Sequence, residues 1–566
     1  MSHAHGDAVY LPLSSSDRRL GGLLALTTLF VLMATDQMGF TRDDTFYFHA
    51  ARTYAGWFQE MGAHFRAGEF LAPFRQESID RHLSYNAEHP FLIKGLFALS
   101  WLLFFETLGW LPESLAIRLP GMVFAALGVA LTFRFATEVT GRRVAGVVAA
   151  LGFVLMPRPF FHAHLACFDI PITTLWVAVI YAWWRSFASR RWALWTGVLW
   201  GIALSTKLNA FFLPFVLLAH LAIVRLRDPA LRGGTLWARV RPPLALWSMA
   251  LWGPLLFFGL WPRHWYNTVD RLTWYLNFHL KHEHYHIDYF GRFLIEPPFP
   301  VTFPFVMTAV TTPLVVLFLW LWGLVRWWDT TPPGARDDLP GGPQRETGWL
   351  LALGSLVPFA VIAMPSSPIF GGIKHWMTAL PLLMIVAAWG FVDLVDRLKT
   401  ALPEAWPREA LARGALLTLL FTPLIHATYQ SHPFGLAYYN EVIGGVTGAA
   451  DRGMMRNYWG YSSRQALPWV NEHARQGAYL QVHNMTRIAF DQYQGEEMLR
   501  RDLRWTNNVE IAHFVLYHHP KNHLPANLPN LWERLGTQAP AHVVHYHGVP
   551  LLSIYRNTYR EPARAP

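Results

Sequence analysis

Residues 376–395 read WMTALPLLMIVAAWGFVDLV. Twenty mostly apolar residues are enough to cross the hydrocarbon core of a bilayer as one helix. Lys374-His375 stands before this run, and Arg397 and Lys399 follow it. Similar runs recur along the chain, and we read eleven spans: 20–40, 116–135, 144–160, 170–187, 193–206, 208–225, 243–262, 301–325, 348–364, 376–395 and 411–428. Composition agrees. Of 566 residues 53% are hydrophobic and only 15% charged, where a soluble chain carries about a quarter charged. The expected fold is therefore an all-α polytopic membrane protein with a small C-terminal soluble domain.

The basic residues give the threading. One set of loops carries Arg134/Arg142/Arg143, Arg185/Arg190/Arg191, Arg225/Arg227/Arg232/Arg239/Arg241, Arg326/Arg336/Arg345 and Arg397/Lys399/Arg408/Arg413. The short loops of the other set carry about one each: Arg158, Lys207, Lys374. The positive-inside rule makes the first set cytoplasmic, together with the N-terminus and its Arg18 and Arg19. No small-residue cleavage site follows that pair, so the first span reads as an uncleaved anchor. An odd number of spans leaves residues 429–566 outside. The net charge of +10 does not indicate nucleic acid, because its arginines sit between apolar runs. The single cysteine, Cys167, excludes an internal disulfide and a CxxC metal site.

One apolar run would invert this order if it crossed. Residues 89–110, HPFLIKGLFALSWLLFFETLGW, contain Lys94, Glu106, Trp101 and Trp110, which suit a helix lying on the outer interface. The expected organisation is then a transmembrane part, 1–428, with long exterior loops at 41–115 and 263–300, and an exterior α/β domain at 429–566. In that tail the runs AYLQV, HFVLY and VVHYHGVPLLSIY read as strands. The Pro/Gly-rich 331–343 stretch reads as a cytoplasmic linker.

Four polar elements fall on the exterior side. The pair Asp43-Asp44 follows the first span, and Cys167-Phe168-Asp169-Ile170-Pro171 opens the fourth. Thr206-Lys207-Leu208-Asn209 and Gly371-Gly372-Ile373-Lys374-His375 each precede a span. Helix capping accounts for a lone Asp, and snorkelling for a lone Lys. Two acids and two cationic sites on one membrane face are what a lipid-borne phosphate would require: cations for the anion, a carboxylate to take a proton. A transporter or flippase is the rival reading, although transporters hold such charges at mid-membrane and show repeats. An inactive lipid-binding scaffold is the third.

The order of these motifs resembles the GT-C membrane glycosyltransferases, specifically the protein O-mannosyltransferase and aminoarabinose-transferase superfamily. The matching elements are Asp43-Asp44, Glu88-His89-Pro90, Arg118-Leu119-Pro120, Gly141-Arg142-Arg143, Asp169 before its proline, Thr206 through Asn209, and Lys374-His375. A tail piece, HPFGLAYYNEVIGG…GMMRNYWG, resembles one in bacterial and archaeal members. The family's first acidic element often has Glu second, where this chain has Asp44. The resemblance implies transfer of a sugar, with inversion, from a polyprenyl-phosphate carrier to an acceptor protein, lipid or glycan at the exterior face of a bacterial inner membrane. It implies Asp43 as general base, and Asp169 as the residue that orients acceptor or sugar. Lys207, Lys374 and His375 would hold the donor phosphate, and Asp44, Glu88 and His89 would stand at or behind the acceptor. No cofactor is required. The one candidate is a divalent metal ion, since His282, His284 and His286 have zinc-compatible spacing and the resemblance implies Glu88 as their partner.

Overall fold

The computed structural model describes residues 13–227, 241–329, 344–519 and 528–560. The expected 331–343 linker and Arg232, Arg239 and Arg336 lie outside the described residues. Helix occupies all or most of each of the eleven apolar segments. Among the described residues, five helices are long and apolar enough to cross a membrane: Glu113–Thr140, Leu208–Arg227, Glu346–Ala363, Met377–Ala401 and Arg408–Ser431. A sixth crossing is formed if Arg143–Val154 and Pro157–Ala163, bent by 74° at their junction, count as one.

Two runs read as continuous are broken by proline. Met156, before Pro157, is extended at ψ 135°, and Thr312, before Pro313, at ψ 133°. A proline ring disfavours helical backbone in the residue before it and removes an N–H from the ladder. The second break frees carbonyls within an apolar bundle, where water is not at hand to satisfy them. The Asn440 side-chain amide donates to Ala309 O at 2.7 Å and to Thr312 O at 2.6 Å, and the Asn440 N–H donates to Val310 O. A residue of the tail thus completes a broken helix of the bundle.

The 89–110 run forms a helix, Phe91–Ser100, that continues as a π-helical stretch over Trp101–Thr107. It packs on the first-loop helix Arg42–Arg66, with Phe91 stacked on Tyr54 at 5.5 Å. Lys94 is fully buried. Its ammonium donates to the Asn86 carbonyl and lies 5.0 Å from the Tyr54 ring.

The tail forms a five-stranded sheet in the order β4-β3-β5-β7-β6. Its strands are β3 (Tyr479–Val482), β4 (Arg504–Trp505), β5 (Phe514–His518), β6 (His542–Tyr546) and β7 (Val549–Arg556). The two earlier strands, β1 (Ile287–Tyr289) and β2 (Arg292–Leu294), make a hairpin in the second long loop. β3 pairs parallel with β4 and β5, and β7 pairs antiparallel with β5 and β6. All three apolar runs of the tail become strands. Between β6 and β7, His547 and Gly548 both have positive φ (45° and 77°), as a tight two-residue hairpin turn requires.

The tail is tied to both ends of the first loop. The Phe40 N–H donates to the Tyr493 hydroxyl at 2.7 Å, and the two rings stack at 4.4 Å. Arg464 donates to the carbonyls of Asp36 and Met38, both at 3.1 Å, and Glu496 accepts from the backbone and hydroxyl of Ser114. A Cβ on Gly39 would overlap the Tyr461 carbonyl oxygen. Gly39→Ala is therefore expected to destabilise the protein by about 1–3 kcal/mol, the usual range for overpacking. A thermal unfolding curve matching wild type would refute this close approach.

Candidate active site

The first-loop helix begins at Arg42 behind Thr41, whose hydroxyl accepts from the Asp44 N–H at 3.0 Å, while the Asp44 carboxylate accepts from the Thr41 N–H at 3.3 Å. This reciprocal capping box makes Thr41 the cap and fixes the two acids one residue, about 100° of helix, apart. They consequently face different surroundings. Asp44 is turned inward and fully buried. Its carboxylate accepts from Arg118 Nη2 at 2.6 Å and from the Ala166 N–H at 2.7 Å, and Arg118 Nη1 also reaches Asp36 at 2.8 Å. Asp44 therefore stands behind Asp43, the second of the two places implied for it: it joins the first loop to Arg118 and to the turn that presents Cys167 and Asp169.

Asp43 faces the mouth of the bundle, where its carboxylate accepts from Lys374 Nζ at 3.0 Å. Lys374 is held over two rings, Phe370 at 4.5 Å and Trp459 at 4.7 Å. Its approach depends on Gly371, at φ +66°, where a Cβ would stand 2.6 Å from Lys374 Cε and 2.7 Å from Trp459. Burial pulls the Lys374 ammonium down, but Asp43 beside it, together with Asp169, more than offsets this and holds it above the usual lysine value. Across the mouth Lys207 donates to Asp169 at 2.6 Å, and His162 Nδ1 lies 3.4 Å from the same carboxylate. Each expected phosphate-binding lysine is thus paired with an aspartate.

The other expected residues fall at graded distances from these two pairs. His375 is anchored through its carbonyl, which accepts from Asn209 at 3.1 Å, and its Nε2 is buried without a partner. His89 packs between Phe168 (4.9 Å) and Tyr47 (6.1 Å). Burial, reinforced by the neighbouring lysines, depresses both imidazoles well below the ordinary histidine value, so both are neutral at pH 7. Glu88 accepts from the Asn86 amide at 2.7 Å, and its carbonyl stands 3.1 Å from His279 Nε2.

The proposed metal set does not come together. His282 stacks on Phe370, His284 packs against Phe299 and His286 stacks on Phe293. Each imidazole has its own aromatic neighbour, and these do not converge on Glu88. Among the described residues no group of three or more His, Cys, Asp or Glu is placed to hold a metal ion. Three contributors were not among the expected site residues: Arg118, which bonds Asp44, His162, which lies beside Asp169, and Trp459, which supports Lys374. Arg118 and Trp459 sit in motifs already singled out in the sequence, Arg-Leu-Pro and the NYWG of the tail.

The acid and cation pairs of the helical domain thus lie beside the tail, whose Trp459 packs on Lys374. Residues 88–247 match the family described as dolichyl-phosphate-mannose-protein mannosyltransferase. The chain shares its fold with ArnT from Cupriavidus metallidurans in the apo state, at 15% identity and a TM-score of 0.50, over 96% of this chain and 99% of that one. ArnT from the same organism bound to undecaprenyl phosphate aligns at 14% identity and a TM-score of 0.48, over 98% and 100%. The Archaeoglobus fulgidus oligosaccharyltransferase in complex with Zn and sulfate aligns at 12% identity and 0.41, over 89% and 68%. No curated protein sequence matches. The chain is thus similar to the mannosyltransferase family over residues 88–247 and shares the fold of the apo ArnT structure over nearly its whole length.

Proposed function

We propose that the protein moves a sugar from a polyprenyl-phosphate carrier to an acceptor hydroxyl or phosphate, with inversion at the anomeric carbon. The observation that carries this reading is the 3.0 Å contact between Asp43 and Lys374. It puts a proton acceptor and a buried cation side by side at the mouth. When the carrier phosphate enters, it competes with Asp43 for the Lys374 ammonium and leaves the carboxylate free for the acceptor. The acceptor O–H gives its proton to Asp43 as its oxygen bonds the anomeric carbon, and the bond from that carbon to the phosphate oxygen breaks. The departing phosphate takes the electron pair, and Lys374 and Lys207 face its charge. Asp169, held by Lys207 and His162, orients sugar or acceptor, and the neutral His375 and His89 present ring nitrogens to hydroxyls. The mechanism routes no step through a metal.

The site face is read as exterior, in a bacterial inner membrane with the N-terminus cytoplasmic. Arg142, Arg185, Arg397 and Lys399, paired with Asp396, Glu138, Asp393 and Asp396, lie at the opposite helix ends, as the positive-inside rule expects.

Inverted membrane vesicles carrying the protein and a labelled polyprenyl-phosphate sugar provide the test. The expected result is label leaving the lipid for an acceptor, with free polyprenyl phosphate formed. Label that crosses the bilayer while still lipid-linked would establish a flippase and overturn the assignment.

A further inference from the structure

Both lysines at the mouth are already balanced: Lys374 by Asp43 and Lys207 by Asp169. An anion entering there needs a further positive charge, and the structure holds one. Arg158 is fully buried. It follows the bend at Met156-Pro157, and its Nε and Nη2 donate to the Tyr438 carbonyl at 3.4 and 3.3 Å. Its guanidinium lies 5.1 Å from the Tyr439 ring. Nη1 has no hydrogen-bond partner, and neither has the buried hydroxyl of Tyr458. Among the described residues no carboxylate lies within ion-pair distance of this arginine. A charge taken out of water without a counter-ion is strongly unfavourable, and such residues in membrane proteins mark ligand sites.

The unpartnered groups border the same turn as Lys374. A Cβ on Gly372, at φ +62°, would stand 2.9 Å from Arg158 Nη1 and overlap the Tyr458 hydroxyl, while Lys374 and Trp459 flank Gly371. Consecutive Cα atoms are about 3.8 Å apart, so the two cations approach one two-residue turn from neighbouring positions. The segment that grips Arg158, from Tyr438 to Tyr458, is the tail piece singled out in the sequence.

We propose that Arg158 supplies the counter-charge for the carrier phosphate, with the Tyr458 hydroxyl as a second donor, so that the tail helps to build the donor site. This rests on the polyprenyl-phosphate reading above. It is tested on the full-length protein in detergent by native mass spectrometry, titrating undecaprenyl phosphate and its neutral counterpart, undecaprenol. Arg158→Gln should weaken binding of the phosphate by about tenfold or more, the worth of a charge-assisted hydrogen bond, and leave undecaprenol binding unchanged. Arg158→Lys, which keeps the charge, should recover most of the loss; a merely structural arginine would not be rescued this way. Tyr458→Phe deletes one hydroxyl and serves if the Arg158 variants do not fold, with a loss of severalfold expected for the phosphate alone.

Wild-type preference for the phosphate together with wild-type behaviour of Arg158→Gln or Tyr458→Phe would overturn the role of Arg158 and leave the donor reading standing. Equal loss for phosphate and alcohol would overturn it as well. Inorganic phosphate binding as tightly as the lipid would show a free-anion site instead. A wild-type protein indifferent to the phosphate would sink the donor reading itself, and this inference with it.

Discussion

Asp43→Asn abolishes sugar transfer while the protein remains folded and still binds its donor. The substitution is nearly isosteric, and Asp43 is not the helix cap, because Thr41 holds that position. The helix loses one charge in its first turn, worth about 0.3–1 kcal/mol, and Lys374 loses an ion pair but keeps the amide oxygen as hydrogen-bond acceptor. An amide cannot accept a proton, and removing a general base typically lowers the rate by about 10²–10⁴-fold. Lys374 keeps its place over Phe370 and Trp459 and loses its competitor, so donor affinity is expected to hold or rise. Single-turnover transfer with a matched donor, measured beside donor binding, separates these effects. Near-normal turnover would exclude Asp43 as the base and make Asp169 the next residue to change.

Asp44→Ala is expected to fail in a different way, through the fold. Adjacent in sequence, the two aspartates look like mutual controls, but Asp44 is fully buried on Arg118 and the Ala166 N–H. Removing one partner of a buried ion pair costs about 3–5 kcal/mol, because the remaining charge is stranded. Asp36, 2.8 Å from Arg118, moderates that loss without abolishing it. The expected readout is a large fall in melting temperature, with activity lost along with folded protein. A companion variant that keeps an acceptor oxygen for Arg118 or the Ala166 N–H, Asp44→Asn, should retain more of the stability than Asp44→Ala. If Asp44→Ala melted like wild type and lost only turnover, Asp44 would be acting at the acceptor, and the structural role would be wrong.

Much of the architecture was legible in the sequence because it depends on local properties. An apolar run near twenty residues must satisfy its backbone internally, so every expected span is helical. The alternation of the tail's apolar runs likewise announced β3, β5, β6 and β7. The run at 144–160 misled in one respect: Met156-Pro157 bends the chain by 74° where hydropathy sees no interruption. The histidines at 282, 284 and 286 misled in another. Their spacing is compatible with zinc, but spacing says nothing of the rings each imidazole meets.

Residue type and membrane side were enough to collect Asp43, Asp169, Lys207, Lys374 and His375 as one candidate set, to which the family resemblance added His89. They could not say that each lysine would be held by an aspartate, that Asp44 would turn inward, or that Arg158 would be buried without a carboxylate. Those outcomes depend on groups that lie from 38 to 331 positions apart in the chain. Asp43 meets Lys374 across 331 positions, and Arg158 meets the Tyr438 carbonyl across 280. Hydropathy and local propensity carry the helices and the face on which charges gather. Which charge neutralises which is decided only when the bundle and the tail pack together, because ion pairing depends on distance through space and burial sets its strength.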